Sequence, residues 1–105
     1  MYISKIDFEF IEFDNGSRIT YEHDQDCCES NYAQFNAIDD YAKSFDFPER
    51  PVFEFVPKAG FRFGDGQTMF FVPCYSAQNG YYSTDLTILF NGKEVGWLFC
   101  KPDFF

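Results

Sequence analysis

Seven consecutive residues, His23-Asp24-Gln25-Asp26-Cys27-Cys28-Glu29, hold the densest set of groups in the chain able to bind a metal, carry a nucleophile or move a proton. Imidazole, thiolate and carboxylate are all zinc ligands, and folding could bring Cys74 and Cys100 to join them. The spacing opposes a zinc site. A structural zinc site takes ligands from a Cys-x2-4-Cys knuckle, whereas the adjacent Cys27 and Cys28 point in different directions. Asp24, Asp26 and Glu29 lack the glycine and the length of a calcium loop. No cofactor is expected, and one of the two cysteines reads as a small buried hydrophobe. If a metal or thiol site exists after all, its residues are His23, Asp26, Cys27 and Cys28.

Other catalytic arrangements fare no better. His23 is the only histidine, so a Cys–His pair has one possible base, four residues before Cys27 and across a strand end. On a strand with Ile19 and Tyr21, His23 reads instead as a half-buried side chain held by hydrogen bonds. Asp39 and Asp40 are adjacent and point to different faces, unlike a cooperating acid–base pair. Gly60, Gly64 and Gly66 fall between strands and form no phosphate loop. The expectation is a protein that is not an enzyme.

Charge carries more information. The first 50 residues hold 12 of the 17 acids and 4 of the 8 bases, so the negative charge is concentrated in one half and suits a positively charged partner. Eight bases scattered among 17 acids could not neutralise a run of phosphates, which excludes direct nucleic-acid binding. Glu9, Glu12, Glu22, Asp24, Asp26 and Glu29 fall on or after the first hairpin, with Asp39 and Asp40 further on. Such a face could imitate nucleic acid and occupy the Arg/Lys channel of a bacterial nucleic-acid-binding protein. Tyr81 and Tyr82, beside a hairpin tip, supply one outward ring as an additional binding anchor.

These groups must be positioned by one domain, since 105 residues leave no room for a second. The N-terminus alternates polar and apolar residues without an apolar h-region, so neither a signal peptide nor a membrane span is expected, and a host-cell cytosol with reduced thiols is. Three Asn-Gly pairs, at 15–16, 79–80 and 91–92, mark type I′ hairpins. Strand one is expected from Ile3 to Phe13, with a parity switch near Phe10 and Ile11, and strand two from Ser17 to His23. From Asn31 to Phe45 apolar residues recur every three or four positions, which predicts an amphipathic helix capped by Ser30 and ended by Pro48 and Pro51. Asp26 and Glu29 would then sit at its positive end. Val52–Val56, Phe61–Phe63, Gln67–Tyr75, Tyr81–Phe90 and Lys93–Cys100 read as further strands. The fold class expected is α+β: an antiparallel, hairpin-rich sheet of about six to seven strands with one amphipathic helix packed on one face.

Taken with Gln78-Asn79-Gly80-Tyr81-Tyr82-Ser83, the His23 to Glu29 segment resembles a family of short bacteriophage proteins without an assigned activity. In that family a His-x-Gln-Asp-Cys-Cys-Glu segment precedes a helix with an acidic pair, here Asp39-Asp40, and an Asn-Gly-Tyr-Tyr-Ser segment follows. The similarity spans roughly residues 17 to 90 and departs from the pattern in having few small residues in the helical stretch. It implies phage or prophage origin and supplies no mechanism. Together with the charge, it implies an acidic binding module that inhibits a host restriction or CRISPR effector; the alternative is a small metal-binding or thiol-based enzyme centred on His23 to Glu29.

Overall fold

The structure is a computed structural model and describes residues 1–23, 30–78 and 83–104. Within these residues the chain is built from strands: β1 (Ile3–Ile6), β2 (Phe10–Phe13), β3 (Arg18–Glu22), β4 (Ser30–Ala33), β5 (Val52–Val56), β6 (Gly60–Gly64), β7 (Met69–Gln78), β8 (Asp85–Phe90), β9 (Lys93–Phe99) and β10 (Lys101–Phe104). One sheet has the order β1-β2-β3-β8-β9, and the other joins β5, β6, β7 and β10, with β4 also on β7. Neighbours are antiparallel except β10, which runs parallel to β7.

Each sheet buries one face, as period-two alternation requires. Ile3, Ile11, Phe13, Ile19, Leu86, Ile88 and Leu98 face inward from the first sheet, and Ala33, Phe61, Phe63, Phe70, Val72 and Cys74 from the second. The faces meet ring to ring, Phe13 with Phe63 at 6.4 Å and Phe53 with Phe90 at 6.0 Å between centroids. Phe47, from the connection before β5, stacks on Phe63 at 5.2 Å and meets Phe13 edge-on at 5.5 Å. Each such pair adds about 0.5–1.5 kcal/mol beyond the area it buries. This aromatic packing holds the sandwich without a disulfide among the described cysteines, Cys74 and Cys100, both buried and free.

The expected α+β class is therefore corrected to an all-β sandwich, since no α-helix occurs among the described residues. The Asn31–Phe45 stretch is β4 followed by two 3-10 turns, Phe35–Ala37 and Asp40–Ser44. Its apolar spacing comes from separate elements in series. Asn31 and Ala33 share the inward parity of a strand, Phe35 and Ala42 are the buried residues of the two turns, and Ile38 lies between them with extended backbone at φ −63, ψ 147. Tyr, Phe, Asn and Asp are indifferent helix formers, and pairing Tyr32 with Tyr75 satisfies the backbone across strands instead. Ser30 opens β4 and caps nothing helical. Tyr41, one of the residues that made up that three-and-four spacing, is 62% exposed.

Two smaller corrections follow from turn geometry. The Ile3–Phe13 run is itself a hairpin: the chain turns back at Asp7-Phe8-Glu9 and pairs Ile6 with Ile11, which explains the parity switch. At Asn15-Gly16 only the glycine has positive φ, 86°, so the connection is a three-residue loop with Phe13 N–H donating to Ser17 O at 2.8 Å. Asn91 and Gly92 have φ of 52° and 80°, the two positive values a type I′ turn needs. Asn79-Gly80 lies outside the described residues.

Candidate functional site: a polar end to the core and an acidic cleft

Strand alternation along β7 sends Phe70, Val72, Cys74, Ser76 and Gln78 to the same face. The first three are core. Ser76 and Gln78 are fully buried polar side chains, and Asn31 of β4 is 6% exposed beside them. Polar groups at such depth need partners, and these are organised as a row. Ser76 Oγ donates to Asn31 Oδ1, and Gln78 Nε2 donates to Ser76 Oγ at 2.6 Å and to Ser83 O at 3.3 Å. Asn31 Nδ2 donates to the carbonyls of Ser83 and Asp85 at 3.0 and 2.9 Å. Because both carbonyls only accept, they fix which way the Asn31 amide points. The row ties β4 and β7 of one sheet to the start of β8 in the other.

His23 rests on this row. Asn31 Nδ2 lies 3.4 Å from Nδ1 and 3.2 Å from Nε2 of its ring. A point nearly equidistant from both nitrogens in the ring plane would overlap Cε1, so the amide lies against the ring face. The in-plane nitrogen positions are directed elsewhere. Nδ1 lies 3.9 Å from Asp85 Oδ1, and that carboxylate also accepts from Ser83 Oγ. The His23 side chain is 8% exposed, deeper than the half-buried position expected from sequence, and it is held by its surroundings at a junction between β3 and β4 and not at the start of a helix.

Next to His23 opens a cleft of about 710 Å³, with Glu9, Arg18, Thr20, Glu22 and Ser30 on its walls. Its one described arginine is already committed: Arg18 Nη2 and Nε reach Glu12 Oε1 at 2.8 and 2.9 Å, and the guanidinium lies 4.3 Å from the Phe10 ring centroid. Glu9 and Glu22 remain on the wall without an ion pair among the described residues. Burial, and then the negative charge of Glu9, push the Tyr21 phenol above its ordinary value, placing a carboxylate field at the cleft.

Comparison with protein-family models, with curated proteins and with solved structures finds no match.

Of the residues singled out from sequence, Glu9, Glu12 and Glu22 come together around this cleft. Asp39 and Asp40 do not. They belong to the second 3-10 turn, where Asp39 accepts from Tyr41 N–H at 2.9 Å and Asp40 lies 3.6 Å from Lys43. Asp24, Asp26, Cys27, Cys28, Glu29, Tyr81 and Tyr82 lie outside the described residues. Among those described, no group of three or more His, Cys, Asp or Glu could hold a metal ion. Cys74 and Cys100 are core residues, where a hydrogen bond with the Cys100 thiol, followed by burial, pushes the Cys74 thiol up. No helix among the described residues is long and apolar enough to cross a membrane.

Sequence reasoning gave no site role to Asn31, Ser76, Gln78, Ser83 or Asp85, although Gln78 and Ser83 belong to a segment that carries the resemblance. Extending strand parity past Cys74 would have found Ser76 and Gln78. Nothing local marks Asn31 as the amide that joins two sheets.

Proposed function

We propose that this chain is a non-enzymatic acidic binding module whose cleft rim, carrying Glu9 and Glu22, occupies the Arg/Lys surface of a bacterial nucleic-acid-binding protein, with a restriction or CRISPR effector as the host target. The observation that carries this reading is the commitment of Arg18 to Glu12, which leaves the cleft wall with uncompensated carboxylates. Charges of this kind act mainly on association rate and are screened beyond about 8 Å at physiological salt. Capture from bacterial lysate across a salt series, followed by competition between this chain and DNA for each captured protein, tests it. Glu9→Gln and Glu22→Gln should slow association, and Glu12→Gln should weaken binding further because it also releases the Arg18 cation. Captured proteins that keep their DNA, or that bind the Glu9 and Glu22 variants as fast as the original chain, would overturn it.

One observation favours a second reading. Asp85 lies beside His23 Nδ1, as an orienting carboxylate does in a thiol- or metal-based site centred on His23. Elemental analysis of untagged protein separates the two readings, because bound metal that is lost with His23→Ala belongs only to this one.

A further inference from the structure

β9 is an edge strand of the first sheet, and its parity is fixed from inside. A Cβ on Gly96 would meet the Phe55 ring at 2.3 Å, and Leu98 is buried, so Trp97 and Phe99 are turned outward. They are 54% and 44% exposed. Their rings stand edge to face at 5.2 Å and 87°. Register supplies their neighbours: Phe99 is opposite Asp85, Trp97 is opposite Thr87, and Thr87 is in turn opposite Glu22 on β3. With strands about 4.8 Å apart, the exposed aromatic corner shares its sheet face with two acidic positions: Glu22, two strands from Trp97, and Asp85, whose carboxylate also accepts from Ser83 Oγ and lies 3.9 Å from His23 Nδ1.

The same face shows what such a setting accommodates. Arg18 lies over Phe10 with two of its nitrogens on Glu12, a guanidinium held between a ring and a carboxylate. Among the described residues no cation lies over Trp97 or Phe99; the two ring–cation contacts both involve Phe10.

We infer that Trp97 and Phe99, with Asp85 and Glu22, form a receptor for an arginine side chain of a partner protein. The inference rests on the acidic-module reading and gives it an anchor. The guanidinium lays its planar, weakly hydrated face on the indole while its edge N–H groups meet the carboxylates. Lysine, a compact and strongly hydrated charge, gains less from the ring. Tryptophan paired with arginine is also the combination that concentrates energy at protein interfaces.

The test uses an oligo-arginine peptide and an oligo-lysine peptide of equal length. Trp97 is the chain's single tryptophan, so its emission reports directly on the site, and anisotropy of a labelled peptide gives the affinity. We expect saturable change in Trp97 emission with the arginine peptide, weaker binding of the lysine peptide, and a roughly 5- to 30-fold loss of arginine-peptide affinity in Trp97→Leu. Leu preserves an apolar strand residue, and circular dichroism checks the fold. Equal binding of both peptides that Trp97→Leu leaves intact but Glu9→Gln weakens would overturn the receptor while leaving the acidic-module reading in place. No binding of either peptide at low salt would overturn both.

Discussion

Replacing Asn31 with alanine isolates the polar row that joins the two sheets. The variant removes the donor to Ser83 O and Asp85 O and the acceptor of the Ser76 hydroxyl. Ser83 O keeps a partner in Gln78 Nε2. Asp85 O and the Ser76 hydroxyl proton lose the partners described for them. Stranding a buried polar group costs about 1–3 kcal/mol, so two such groups set a range of about 2–6 kcal/mol. Water reaching the partly exposed Asp85 end reduces this, and a loss of about 3 kcal/mol is expected, equivalent to roughly 10–20 °C in melting temperature for a domain of this size. Urea denaturation followed by circular dichroism measures it. Ser76→Ala alone should cost less, and the double variant should fall short of the sum, because the first change has already broken the bond the second would remove. A loss under about 1 kcal/mol, or strict additivity, would refute the claim that these groups form one buried, mutually satisfied network.

Two further outcomes follow from titrating groups. Asp65 is held below its ordinary value by the Thr68 N–H and then the Gln67 N–H, donated to Oδ1 at 2.7 and 2.9 Å; a depressed folded value means that the stabilisation is complete above the unfolded carboxylate pKa, near 4, and disappears as pH falls through the folded one, so the urea midpoints of Asp65→Ala and the original chain should converge in acid, and a gap independent of pH would exclude this. Cys74 should resist alkylation in the native state and react only on unfolding, because the Cys100 thiol and burial both raise its pKa; peptide mapping after brief iodoacetamide treatment that finds Cys74 modified in folded protein would contradict the packing.

How much of this was legible before folding differs by element. β3, β5 and β9 followed from alternation, and the Asn91-Gly92 turn followed from the demand for two positive φ values. The supposed helix failed because spacing of three and four does not distinguish one helix from a strand followed by short turns, and the deciding contact, Tyr32 with Tyr75, lies far along the chain. The acidic half was visible in composition. The loss of Glu12 to Arg18 depended on register across the Asn15-Gly16 turn, which a three-residue loop sets differently from the expected type I′ turn. Trp97 and Phe99 were visible as residues of a strand apolar on both parities, but their exposure is decided by Phe55 behind Gly96.

The pairing order also dictates when this chain can become a protein during synthesis. β3 waits for β8, since Ile19 pairs with Phe90, and β7 waits for β10, since Tyr75 pairs with Lys101. A ribosome that has made the first two-thirds of the chain has therefore released the β1-β2-β3 meander, the β5-β6 hairpin and most of the 16 phenylalanines with no complete sheet to cover them. Contacts so distant in sequence fold slowly and leave apolar surface exposed meanwhile. Like charge among the carboxylates of the early half would keep nascent copies apart until the last strands arrive.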